Sequence, residues 1–393
     1  MVDYASNTRA AARARRREAA DVASLVRRLD WILIGSVAGV VGYGLWAVAG
    51  ITRHDVPGDP HYYLTRQIVF VVMGVVCLVA ALLVDPQLYR RKWRLIFGGQ
   101  AFLIAVVFLT SATRGSKRWL DLGFFRFQPS EFGKVLLVLA LAGFLAERGR
   151  SVPEVRTTLT TVGLGSIPIF LVFLQPDFGT ALVYCAAVGA VLFVAGAPWT
   201  HVGALLGVAI TLAVLILGVL PGAGLPLLKD YQQKRLTGFL HPTSDPGGST
   251  YSITQSKNAI GAGQLRGRGV DNATQTTLNF LPEHHTDFVF ASLAEERGFL
   301  GAALLLMLYL LVVWRGFRIV ALARDPFSAI VAGGLVFALL FQIFVNVGMT
   351  MGIAPITGIP LPFVSVGGSS MISNLIAVGL LLAIHVRARG ARR

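Results

Sequence analysis

The chain has 393 residues, 54% of them hydrophobic and 14% charged, with a mean hydropathy of +0.67. So little charge excludes a soluble globular surface of this size. The net charge of +15 does not point to nucleic acid, because its arginines recur between apolar stretches. Anionic lipid is the simpler counterpart, so a membrane partner and no nucleic acid are expected.

The apolar residues fall into ten blocks of about 20, the length a helix needs to cross ~30 Å of hydrocarbon. In chain order they are Leu29–Ile51, Leu64–Val84, Trp93–Thr110, Ser130–Ala146, Thr157–Leu174, Phe178–Ala197, Thr200–Leu220, Phe288–Trp314, Pro326–Met349 and Ser370–His385. None alternates polar and apolar residues as a barrel strand would, so the expected class is an all-α polytopic membrane protein. With both termini on the cytoplasmic side, 21 of the 35 basic residues lie inside, as the positive-inside rule requires. The division expected is a basic cytoplasmic tail over 1–28, a membrane domain over 29–388 and a short basic tail over 389–393. Cys77 and Cys185 sit in separate apolar blocks, which excludes a disulfide framework and a cysteine metal site.

Three segments on the outer side are longer than hairpin turns need. They are Ser111–Pro129, the polar Pro221–Thr286 between spans seven and eight, and the Pro- and Gly-rich Thr350–Ser369. The last is apolar yet unfit for a regular helix, so an irregular segment packed against protein is expected.

In LPEHHTDFVFASLAEERG, Leu281 to Gly298, Pro282 suits a helix start. Glu283 and Asp287, four apart, would then share a helical face, where mutual repulsion favours a general base. Helix capping explains the same spacing, and spacing leaves both readings open. His284 and His285 would point ~100° apart on that helix, unable to face one metal, so hydrogen bonding at the membrane interface is expected of them. Glu295 and Glu296 lie deeper, beside Arg297, where a structural ion pair is the simpler role.

Earlier, Arg114, Lys117, Arg118 and Arg126 crowd a short outer loop, against the trend of the other loops. An anionic ligand such as a phosphate or pyrophosphate would account for them. Trp119 beside them is an interface anchor or a stacking surface for a sugar ring. Glu131 and Lys134, three apart, pair within the membrane and organise a site. Asp177, in QPDFGTA, marks a structural turn between two spans. Arg235, Lys257, Arg266 and Arg268 add outer cations in the long loop, and the glycines of GAGQLRGRG follow no strand, so they carry no dinucleotide fingerprint.

In this order KRWL, QPSEFGK, QPDFGTA, QSKNAIGAGQLRGRG, LPEHHTDF and TGIPLPFVSVGGSS resemble the shape, elongation, division and sporulation family of bacterial cell-wall glycosyltransferases. The resemblance runs from about Asp30 to the last span and leans to the rod-shape branch. Gly133 and Arg297 stand where the family pattern carries other, often apolar, residues. The resemblance implies polymerisation of lipid II at the outer face of the bacterial cytoplasmic membrane. Asp287 would be the essential acid and base, with Trp119, Glu131 and Lys134 at positions that matter for activity. It further implies a class B penicillin-binding protein and rod-complex proteins as partners. A lipid flippase or transporter and a non-catalytic scaffold are the alternatives. A divalent cation, Mg or Mn, stays open as cofactor, since Glu283, Asp287 and His285 make only a partial ligand set.

Overall fold

The computed structural model describes residues 24–109, 118–121, 123, 125–222, 233, 237–238 and 250–390. Lys117, Arg114, Arg235 and most of the basic N-terminal tail lie outside them, as does 391–393.

Among the described residues, nine helices are long and apolar enough to cross a membrane, and a tenth, Trp93–Leu109, is shorter. In chain order the elements are α1 (Trp31–Ile51), α2 (Tyr62–Leu83), α3 (Pro86–Arg91) and α4 (Trp93–Val106, ending in a 3₁₀ turn). A minimal hairpin, β1 (Leu120–Asp121) with β2 (Arg126–Phe127), precedes α5 (Pro129–Arg148), α6 (Val155–Leu174) and α7 (Phe178–Ala195). Then come α8 (Trp199–Val214, running on to Gly222), α9 (Tyr251–Gly263), α10 (Thr274–Thr277), α11 (Val289–Leu322), α12 (Pro326–Thr350) and α13 (Gly368–Gly390).

These helices begin where short polar side chains satisfy free backbone amides. Asp30 accepts from the Leu33 amide at 3.1 Å, Asp177 from Thr180 at 3.2 Å and Asp325 from Ser328 at 3.1 Å. The most enclosed helices are α5, α12 and α13. The first touches α4, α6, α7, α12 and α13, and the last lies along α2. By contrast α8 buries none of its side chains and meets the bundle chiefly through α7.

Described residues of five connections meet at one end of the bundle, tied to each other by contacts described below: 52–61, 125–128, 175–177, 250–288 and 351–367. At the other end Arg315, at the far side of α11, bonds Asp30 from both Nε (3.1 Å) and Nη2, with His385 of α13 at 3.8 Å.

Two expectations about α11 need correction. The sequence reading ends this span at Trp314, but the helix runs on to Leu322. Arg315 reads as a boundary charge, yet it is buried against Asp30 and so does not need solvent. The span is also broken at Gly298, whose φ of 67° and ψ of −167° are open to glycine alone. There the QLRGRG loop after α9 supplies the missing partners. Phe299 N bonds Gln264 O at 2.8 Å, and Arg268 and Gly269 amides bond the Glu295 and Glu296 carbonyls at 2.9 and 3.0 Å. Gly267, at φ 84°, lets the two backbones approach, so the glycines of GAGQLRGRG serve helix-to-loop contact.

Candidate active site at the outer mouth

The segment 281–288 is a turn, and α11 begins only at Val289. The expected helix from Pro282, with Glu283 and Asp287 on one face, is therefore absent. Glu283 takes a positive φ of 50° and is exposed, its carboxylate accepting from the Thr286 hydroxyl at 2.9 Å. Its carbonyl accepts from the Thr286 and Phe288 amides at 3.1 and 3.2 Å.

What fixes Asp287 is a set of four donors from outside the turn. The Ser292 hydroxyl of α11 donates to His284 O at 3.2 Å, the Val366 amide to His285 O at 3.0 Å, the Ser365 hydroxyl to Thr286 O at 2.6 Å and Asn346 Nδ2 of α12 to Asp287 O at 2.9 Å. Asn346 also holds Ile359 O at 2.8 Å, and Gln67 of α2 donates to Ser365 O at 3.0 Å. Four consecutive carbonyls are thus satisfied without a helix, which lets the half-buried Asp287 side chain sit at a chosen place. Its Oδ2 lies 3.4 Å from where a β-carbon of Gly358 would stand, with Gly358 at φ 70°.

The irregular 351–367 segment is as expected from its prolines and glycines, and it is largely buried. It also joins the Asp287 turn to the segment ahead of α5. A side chain at Gly179, in QPDFGTA, would collide with the Thr357 carbonyl, and Ser369 bonds Gln128 N at 2.9 Å and Arg126 O at 3.3 Å. Gln128 Nε2 in turn donates to Asp177 Oδ2 at 2.9 Å, while Arg118 Nη1 stands 3.8 Å from Asp177 Oδ1. Burial raises the Asp177 carboxyl above its ordinary value, against the lowering pull of Arg118 and the Thr180 bonds. Trp119 is half-buried beside them.

Deeper in the bundle, Lys134 Nζ bonds Glu131 at 2.8 Å and Gln342 at 3.3 Å, all three buried. Lys134 and Gln342 border a cavity of about 20 Å³, room for roughly one water, that Asn374 also lines. Lys257 is exposed on α9, its chain packed over Gly352. Neighbouring Ser256 bonds Thr350 O at 2.7 Å. The two acids of α11 have separate roles. Glu295 accepts from the Gln275 and Thr276 amides and the Thr276 hydroxyl at 2.8–3.0 Å, and Glu296 stands 3.8 Å from Arg297.

The histidines depart furthest from expectation. Released from a helix, His284 and His285 turn to the same partner, Asp55 of the α1–α2 connection. His284 Nε2 lies 3.0 Å from both carboxylate oxygens and His285 Nδ1 3.6 Å from one. Sequence spacing hides this, since Asp55 is more than 200 residues away.

A helical membrane bundle with an acid fixed at one mouth, and the Arg118–Asp177 pair on connections at the same end, defines a polytopic membrane protein with a built polar site. The profile of the FtsW/RodA/SpoVE family, described as cell cycle protein, matches residues 27–390, and the chain belongs to that family. It is 41% identical over 332 residues to the peptidoglycan glycosyltransferase MrdB of Escherichia coli K12, covering 83% of this chain and 86% of that protein. With the stage V sporulation protein E of Bacillus subtilis it shares 34% over 362 residues, 91% and 95% of the two chains. Two solved structures resemble it. One comes from work on the structural coordination of polymerization and crosslinking by a peptidoglycan synthase complex (TM-score 0.77, 31% identity, 92% of this chain and 98% of the other). The second is the Thermus thermophilus rod shape determining protein RodA (TM-score 0.67, 29% identity, 91% and 96%). The resemblance in the sequence to this family, and its lean to the rod-shape branch, is borne out.

Proposed function

We propose that this chain is a peptidoglycan glycosyltransferase of cell elongation that polymerises lipid II at the outer face of the cytoplasmic membrane, with Asp287 as general base. The observation that carries the assignment of the base is the four-donor hold on the turn that presents Asp287, beside a segment that leads into Ser369 and so, through Gln128, to Asp177 and Arg118. The activity rests on the peptidoglycan glycosyltransferase relatives.

In this reaction Asp287 takes the proton of the acceptor sugar's 4-hydroxyl as that oxygen attacks the anomeric carbon of the lipid-linked chain. The bond from that carbon to the pyrophosphate oxygen breaks, configuration inverts, and undecaprenyl pyrophosphate departs. Developing charge on the leaving group calls for cations, the role assigned to Lys117, Arg118, Arg235 and Lys257. Glu283 supports Asp287 through the turn they share, and Glu131 with Lys134 keeps the bundle ordered beneath the mouth. The meeting of five connections at one end fits an outward mouth with both termini in the cytoplasm. A class B penicillin-binding protein and rod-complex proteins are the proposed partners, with the likeness to a chain from a peptidoglycan synthase complex in support.

Fluorescent lipid II and purified protein provide the test. Asp287→Asn removes the base while keeping the side chain's shape, and polymer formation should fall by about 10²–10⁴-fold. Wild-type polymerisation by a folded Asp287→Asn protein would end the assignment.

A further inference from the structure

We propose that Asp55, His284 and His285 form a binding site for one divalent transition-metal ion of the zinc class. Their ligand atoms all lie within 4.8 Å of one another. The Asp55 carboxylate stands 3.0 Å from His284 Nε2 and 3.6 Å from His285 Nδ1, on either side of the ~3.3 Å between neighbouring ligand atoms of a tetrahedral ion with bonds of about 2.0–2.1 Å. Drawing the two rings together from the 4.8 Å limit takes a movement of about 1.5 Å.

The orientation of His284 strengthens the case. Its Nδ1 faces the Leu281 carbonyl at 3.2 Å, and its Nε2 is aimed at the Asp55 carboxylate, 3.0 Å from both oxygens. A backbone carbonyl on the far ring nitrogen is the usual support of a metal-bound histidine. His285 is steadied as well, its ring tilted over Tyr63 with centroids 4.6 Å apart. The three side chains are mostly enclosed, at 6, 18 and 9% exposed for His284, His285 and Asp55.

Two imidazoles with one carboxylate suit zinc-like ions better than Mg or Ca, which prefer all-oxygen shells. Three protein ligands leave at least one coordination position for water or a substrate oxygen. The binding claim stands apart from the transferase reading. That the ion neutralises a substrate phosphate rests on that reading.

The experiment uses the full chain in lipid nanodiscs, stripped with chelator and titrated with Co(II), whose visible absorption reports tetrahedral coordination, and then with Zn(II) as displacer. Saturation near one equivalent is expected, with affinity reduced at least about tenfold in His284→Ala and Asp55→Asn. Asp287→Asn should bind as the wild type does even though its polymerisation is lost, which separates the two proposals. Zn(II) should also raise the wild-type Tm by mass action and leave that of His284→Ala unchanged. A wild-type protein with no Co(II) spectrum and no Zn(II) shift in Tm would assign the cluster to histidine–carboxylate hydrogen bonding and overturn the site. Equal affinities in wild type and a folded His284→Ala would do the same.

Discussion

Gly133 sits where the bundle interior leaves no room for a side chain. A β-carbon there would run into the Tyr184 hydroxyl, which donates to Ser130 O at 2.8 Å and so anchors α7 on the first turn of α5. Gly133→Ala should destabilise the protein by about 1–3 kcal/mol, read as a lower Tm in detergent, because a packed interior has no room to yield. Adding Tyr184→Phe removes the obstructing oxygen, so the double variant should recover part of that loss. Arg297 holds its guanidinium 3.8 Å over the Trp46 ring, a cation–π contact that occupies the charge near the break in α11. Asp287 itself was legible from its motif, and Lys134 from its spacing to Glu131. The histidine pair was not, because its convergence depends on a turn and on a partner from another connection.

At the scale of elements, the sequence marks helices by apolar length, and the ten blocks match the apolar helices to within a few residues at most ends. It fails where tertiary contacts replace a local signal. The break at Gly298 is not legible in α11, since Glu295, Glu296 and Arg297 just before it read as a structural ion pair within a continuous helix. The α9 helix hides inside a segment read as polar loop, its buried stripe of Ile253, Ser256, Ala259 and Gly263 mostly too small to register as apolar. Gly298→Ala tests the break. Its φ of 67° with ψ of −167° should make the change cost about 1–3 kcal/mol. A β-carbon there would also crowd the Gly267 amide, so proteolysis within 264–269 should accelerate in the variant.

Across the whole molecule, the first, eighth and last spans of the sequence meet at the end opposite the mouth through Asp30, Arg315 and His385. Burial pushes the Asp30 carboxyl up, but the bonds from Arg315 and the Leu33 amide outweigh it and hold the group below its ordinary 3.8. A depressed carboxylate stabilises the fold above 3.8, and that contribution is lost as pH falls through the lower folded value. Asp30→Asn should therefore lower stability by about 1.5–3 kcal/mol near neutral pH. The gap to wild type should close as the pH is taken below 3.8 in a series of thermal melts. A gap that stayed constant down to the lowest pH would show that the charge on Asp30 is not what ties the three spans.

The turn bearing Asp287 has a consequence for anyone who would move it. Its carbonyls are held by Ser292, Asn346, Ser365 and Val366, so the octapeptide LPEHHTDF grafted onto another bundle would carry the letters of the site without its shape. The portable unit is the turn together with the 351–367 segment and α12, three stretches far apart in the chain. A designer would have to transplant them as one piece.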